Sequence, residues 1–218
     1  MDLTPHIKEL LKSGTGSDVT VRFSGREVKA HQRVLSASSE YFKKAFEGPF
    51  NASNESSTKV IELHDDDPDA LQSLLAMLYG VDSHRSWGLR ENVFRGDDDY
   101  DRLSREQKLT RYGLYLVDMY IAARKYLVQE AAAKGQDALR GPNGPIQRET
   151  PSVSHEVLKH IYITHPEAAF DLRAAVVKQW VECLRRPSKG PAEQTESAQK
   201  LIKEIPEFAI DVLTALDA

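Results

Sequence analysis

The hydrophobic pattern near the start of the chain changes its period once, and that change restricts the fold more than any other feature. Val19, Val21 and Phe23 alternate with Thr20, Arg22 and Ser24, Gly25 supplies a turn, and Val28 and Ala30 resume the alternation, so two strands form a hairpin with one buried face. From His31 the period becomes about 3.6, with Val34, Leu35, Phe42, Ala45 and Phe46 on one stripe. Ser39 interrupts the stripe. Its hydroxyl suits an N-cap, which predicts two short helices, the second beginning after Ser39.

Ahead of the hairpin, Ile7, Leu10 and Leu11 follow a Thr4-Pro5 start at helical spacing, and Gly14 and Gly16 end a short leading helix within residues 1–16. Beyond the polar string NASNESST, Val60, Ile61 and Leu63 read as a third short strand. In HDDDPDALQSLLAMLYG, Asp67 or Asp66 caps a helix, Pro68 suits its first turn, and Leu71, Leu74, Leu75 and Leu78 make its apolar stripe. Residues 82–111 are charged and aperiodic and read as a solvated insertion. Periodicity returns at Leu114, Val117, Ile121 and Ala122, in a helix to about Tyr126, and another helical stretch runs through Leu139. Residues 140–151 are a linker by composition. Residues 152–218 read as entirely helical, with Pro206 ending or kinking a helix before a last one holding Phe208, Val212, Leu213 and Leu216.

Composition excludes several classes. At about 150 residues per domain, 218 residues allow one large domain or a domain with an appendage, and 40% apolar with 28% charged residues is not the composition of a long disordered chain. Lys and Arg number 29 against 33 acids, with no dominant basic block, so direct nucleic-acid binding is not expected. Cys183 is the only cysteine, so no intrachain disulfide forms, which suits a reducing compartment. The opening residues lack the apolar stretch of a secretory signal, and no apolar run approaches the roughly 20 residues a bilayer needs. The expectation is an intracellular protein, cytoplasmic or nuclear, away from membranes.

Chemical motifs fail on spacing. His155 and His160 lie five apart in HEVLKH, about 140° around a helix, so they cannot share a zinc ion as HExxH does. Both are expected on the surface beside an apolar stripe. SGTGSD leads into a strand where a dinucleotide fingerprint needs a helix, and the phosphate-loop and hydrolase-elbow strings are absent. Asp65 to Asp67 and Asp97 to Asp99 lack calcium-loop spacing. Cys183, near Trp180 and Leu184, reads as a core thiol, and Arg22, Arg26, Lys29 and Arg33 read as a charged face. No catalytic, cofactor or metal-binding residue is assigned. The alternative, an enzyme or small-ligand or metal-binding protein with a site between the mixed N-terminal part and the helical tail, rests on His155, His160, His165 and Cys183, whose spacing suits shared chemistry poorly.

The order of elements resembles a known family. SDVTVRFSGREVKAHQRVLSASSEYFKKAFEGPF, residues 17–50, resembles the start of a BTB/POZ domain, and IELHDDDPDALQSLLAMLYG its next strand and helix. The family pattern of Asp, His, Leu, Ser and Phe falls on Asp18, His31, Leu35, Ser39 and Phe42, and AARKYLV places its Lys-Tyr pair at Lys125 and Tyr126. The resemblance covers residues 17–139, interrupted by the 82–111 insertion, and a short domain with a helical tail is similar to the BTB proteins of filamentous fungi. It implies an α+β fold, a small three-stranded sheet flanked by helices, followed by an all-helical C-terminal extension. It also implies a binding module without chemistry that forms homo- or heterodimers through the leading helix and hairpin and serves as substrate adaptor of a cullin-RING ubiquitin ligase. In such adaptors the cullin faces the helix after the Ser and the loop that follows, which makes Tyr41, Phe46 and Phe50 the implied partner-binding residues. The triplet Phe50, Asn51, Ala52 keeps the hydrophobe of the family's hydrophobic-x-Glu element and lacks its acid, and Gln32 stands where corepressor-recruiting members carry Lys or Arg. Leu35 and Phe42 are expected in the core, Ser39 as a cap, and His31 bonded locally.

Overall fold

The computed structural model describes residues 4–47, 59–81, 102–140, 151–185 and 199–217. They divide into two compact units, one drawn from residues 1–93 and 118–133, the other from 94–117 and 134–218.

In the first unit α1 (Thr4–Ser13) stops at Gly14, whose φ of 65° is a left-handed value that glycine adopts without strain. β1 (Val19–Phe23) and β2 (Arg26–Ala30) form the hairpin. Ser24 and Gly25 both have positive φ, 45° and 75°, the two-residue turn whose twist matches that of the flanking strands. β2 pairs antiparallel with β1, Val19 opposite Ala30 and Phe23 opposite Arg26, while β3 (Lys59–Leu63) pairs parallel with β1 on its other side, Val19 opposite Lys59. The sheet order is therefore β2-β1-β3, and the Val19 and Val60 segments share one sheet. Val19, Val21 and Phe23 are buried, and Thr20 on the opposite face is buried beneath the Lys29 side chain, whose ammonium donates to its hydroxyl at 3.0 Å.

The connection from β2 to β3 carries α2 (Gln32–Ser38) and α3 (Glu40–Glu47), separated at Ser39, which has extended backbone angles. Leu35 and Phe42 are fully buried, a contribution of about 1.5–3 kcal/mol each relative to exposure. α4 (Pro68–Leu78) begins at Asp67, whose carboxylate accepts from the Asp69 and Ala70 N–H groups at 3.0 and 2.8 Å. Leu71, Leu74, Leu75 and Leu78 are buried, and Gly80, at φ 65°, closes the helix by letting the Val81 N–H reach the Ala76 carbonyl.

The next long helix, α5 (Arg105–Lys125), starts nine residues before Leu114 and inside the stretch read as insertion 82–111. The correction has a local cause. Ser104 and Gln107 form a reciprocal capping box: the Ser104 N–H donates to the Gln107 amide oxygen at 2.9 Å and the Gln107 N–H to the Ser104 hydroxyl at 3.2 Å. Residues 82–101 lie outside the described residues. α6 (Gln129–Arg140) follows after a turn in which Leu127 adopts φ 54°.

The second unit contains α7 (Pro151–Lys159), one π-helical turn (His160–Thr164), α8 (Phe170–Arg185), helical residues 199–204 and α9 (Pro206–Leu216). Pro151, read as the linker's end, is the first residue of α7, and Pro206 is the first of α9, where a missing N–H is harmless. Leu158, Ile161, Leu172, Val176, Ile205 and Phe208 are buried. α8 packs on α9, with Trp180 edge-on to Phe208 at 5.7 Å, while Ile210 and Leu213 of α9 remain about three-fifths exposed at 62% and 61%. No helix among the described residues is long and apolar enough to cross a membrane.

Candidate functional site

Ser39, Phe42, Lys125 and Tyr126, singled out by pattern, belong to one network. The Ser39 hydroxyl accepts from the Phe42 N–H at 3.2 Å, capping α3, and donates to the Tyr126 carbonyl at 2.7 Å. The Tyr126 phenol donates to Asp66 at 2.6 Å, and the Lys125 ammonium reaches the same carboxylate oxygen at 2.9 Å and the His64 carbonyl besides. The Asp66 side chain is only 3% exposed, so Lys125 compensates a nearly dry charge. Burial, and then the bond to Asp66, push the Tyr126 phenol well above its ordinary range. Of the two cap candidates Asp67 caps α4, and Asp66 instead anchors the Lys-Tyr pair.

A second set of bonds fixes the strand-to-helix junction. The His31 N–H donates to the Tyr79 phenol oxygen at 2.7 Å, and the ring nitrogens of His31 lie 2.9 Å from the same phenol (Nδ1) and 2.9 Å from the Thr15 carbonyl (Nε2). A carbonyl only accepts, so the tautomer with the proton on Nε2 satisfies every partner, Nδ1 accepting from the phenol. Burial pushes the Tyr79 hydroxyl up to about 12. Asp18 caps α2 from across the sheet end: its carboxylate accepts from the Gln32 N–H at 2.7 Å. Gln32 in turn accepts from Lys59 at 3.3 Å.

Around Phe42 the rings of α3 gather. Phe42 stacks on Tyr126 at 5.7 Å and on Phe46 at 6.2 Å, and Tyr41 meets Phe42 and Tyr126 edge-on at 5.3 and 4.9 Å. Tyr41 and Phe46 are half-buried, with the Lys59 ammonium 6.0 Å from the Phe46 ring centre. The implied partner-binding residues Tyr41 and Phe46 thus share one helix flanking a core aromatic, and Phe50, with Asn51 and Ala52, lies outside the described residues.

The hairpin bases are paired. Arg22 and Lys29 each meet Glu27 at 3.0 Å, and Arg26 bonds Asp69 and Gln72 at 2.7 Å and the Pro68 carbonyl at 3.1 Å, tying the hairpin to α4. Lys29 and then Arg22 hold the Glu27 carboxyl below its ordinary value. Beside them an open cleft of about 360 Å³ runs between α1, β2 and α4, with Leu11, Val28, Leu75 and Ala76 on its walls and Lys12, Glu27 and Lys29 at its rim.

In the second unit one expectation is corrected. His155 is buried, 3% exposed, and its Nε2 bonds Glu204 at 2.9 Å, a partner 49 residues away that also takes Lys159 at 3.1 Å. An α-helical face flanked by apolar residues draws its histidine inward once a carboxylate is there to meet it. His155 is taken by Glu204, whereas His160 and His165 converge, their ring centres 4.6 Å apart. Sequence spacing does not single out Tyr79 or Glu204, and it gives Asp66 only as an alternative cap and Arg26 only as part of a charged face. The acidic run before Pro68 and the Tyr79-Gly80 helix end were the available signals.

Residues 7–112 match the family profile of the BTB/POZ domain. The chain carries a BTB/POZ domain. BTB/POZ domains are protein–protein interaction modules without chemistry of their own, and the small sheet with its flanking helices is their α+β architecture. BTB/POZ and MATH domain-containing protein 5 of Arabidopsis thaliana is 36% identical over 78 residues, and BTB/POZ and MATH domain-containing protein 6 of the same plant is 33% identical over 78. In both cases the aligned part is 36% of this chain and 18% of the relative, so the chain spans less than a fifth of the length of the curated relatives it matches. The BTB/POZ match ends before Lys125 and Tyr126, yet these two residues fasten themselves to Ser39 and Asp66 within it.

Proposed function

We propose that the chain is a protein-interaction protein whose BTB/POZ domain self-associates, and that it performs no catalysis. The observation that carries this reading is the cleft between α1, β2 and α4. It is lined by the part-exposed Leu11 and Val28 over the buried Leu75, with the exposed Lys12, Glu27 and Lys29 beside them, an apolar centre with a charged edge, which is the anatomy of an interface core. The leading helix and hairpin that line it are the elements a dimer of this kind would present. Light scattering on a size-exclusion column at micromolar concentration tests it: a species of twice 24.5 kDa is expected, and Leu11→Asp or Val28→Asp should return it to the monomer. A single 24.5 kDa species for the unaltered chain would end this reading.

A second reading, adaptor of a cullin-RING ubiquitin ligase, is favoured by the half-exposed edges of Tyr41 and Phe46 on α3. Capture by a cullin N-terminal domain should weaken on exchange of Phe46 and Phe50 for Ala, and undiminished capture removes those residues from the proposal. Both readings place the protein inside the cell, in cytoplasm or nucleus, with protein partners and without direct nucleic-acid or membrane binding. Imaging of the tagged chain in its own cell tests that placement.

A further inference from the structure

α7 passes without a break into the π-helical turn His160–Thr164, closed by the His165 N–H donating to the His160 carbonyl at 3.0 Å. In a regular α-helix residues five apart diverge by about 140°. A π-turn bonds residue i to i+5 and holds more residues per turn, so positions 160 and 165 come onto one side, and such turns recur at functional sites. The two imidazole rings accordingly meet edge to face with centres 4.6 Å apart, and a ring nitrogen of one lies within 4.8 Å of a ring nitrogen of the other. Both rings are part-exposed, so water and ions reach them. They stand apart from the His155–Glu204–Lys159 cluster, where His155 is committed to a carboxylate.

We propose that His160 and His165 form a two-imidazole chelate for a divalent transition metal, zinc or copper. Imidazole nitrogen is a ligand these ions favour, and two on one turn lose little freedom on binding. Metal–nitrogen bonds of about 2.1 Å set the two nitrogens roughly 3.4 Å apart in a tetrahedral site, a closure that rotation of the rings supplies. This site is independent of the BTB/POZ reading.

The test is titration calorimetry of the tag-free chain in metal-free buffer with zinc chloride and, separately, copper(II) chloride. One zinc per chain is expected, with copper tighter in keeping with the general order of stability. His160→Gln and His165→Gln should each weaken zinc at least about tenfold, since even outer-shell changes around a metal cost that much. His64→Gln, on the exposed residue after β3, should leave the titration unchanged. Electron paramagnetic resonance of the copper-loaded unaltered chain guards against a variant that fails to fold, and it should report two imidazole nitrogens on the metal. Absence of zinc binding by the unaltered chain, affinity undiminished in His165→Gln, or a copper signal with fewer than two nitrogens would overturn the proposal.

Discussion

The hydroxyl of Ser39 donates to the carbonyl of Tyr126, 87 residues later, across 2.7 Å of buried interior. One side chain therefore caps α3 and anchors the turn after α5. Ser39→Ala removes both contacts and leaves a buried carbonyl unpaired, so a loss of about 2–3 kcal/mol is expected, read as a lower urea midpoint at unchanged slope. A midpoint equal to that of the unaltered chain would show that the bond contributes nothing.

Asp66 gathers Tyr126 and Lys125 onto one nearly buried oxygen, but Lys125 is 41% exposed and solvent screens part of that pairing. Asp66→Ala is expected to cost about 2 kcal/mol, mostly through the stranded Tyr126 phenol. In a double-mutant cycle, Asp66→Asn and Tyr126→Phe should couple by about 1 kcal/mol. Additive effects would mean that the 2.6 Å contact is not energetically real.

Tyr79 gives an alkaline signature. Its phenol rises from an ordinary 10.0 to about 12 on folding, so the neutral form is favoured by the native state. The sign follows: the contribution is whole below pH 10 and disappears as pH climbs through about 12. Tyr79→Phe should be less stable by about 1–2 kcal/mol at neutral pH, because the His31 N–H loses its acceptor. The gap between the two proteins should narrow above pH 10, and a gap independent of pH would contradict the assignment.

Glu204 gives the acidic counterpart. His155 first, then Lys159, hold its carboxyl down from 4.5 to about 2. A depressed acid stabilises the fold above its ordinary value and loses that contribution as pH falls toward the native one. Unfolding curves of the unaltered chain and Glu204→Gln should therefore converge between pH 4.5 and 2 and stay apart above it, and curves that stay parallel through this window would argue against the clamp.

Short-range patterns were readable wherever one residue type did one job. The hairpin, the break at Ser39, the Asp67 cap and the leucine face of α4 each follow from local periodicity or capping chemistry, and all stand in the structure. The start of α5 escaped because its first residues, Arg105 to Lys108, are good helix formers without an apolar stripe, and the decisive signal was the Ser104–Gln107 box. His155 escaped for a different reason: its burial depends on Glu204, and no local pattern announces a partner 49 residues away. The convergence of His160 with His165 needs a helix to change its pitch, which residue spacing on an ideal α-helix hides. Asp18, His31 and Tyr126 were legible as a pattern, but what they bond to became visible only in three dimensions.

The strand order β2-β1-β3 sets the timetable on which this chain matures. As the polypeptide leaves the ribosome the two hairpin strands emerge together, but the far side of β1 waits for residues 59–63, some seconds of synthesis at about 5–20 residues per second. During that interval a row of unsatisfied amides borders a hydrophobic ribbon, a template on which neighbouring nascent chains can dock. Expression at lower temperature or with chaperones that shield emerging strands should raise the recovered yield for this reason.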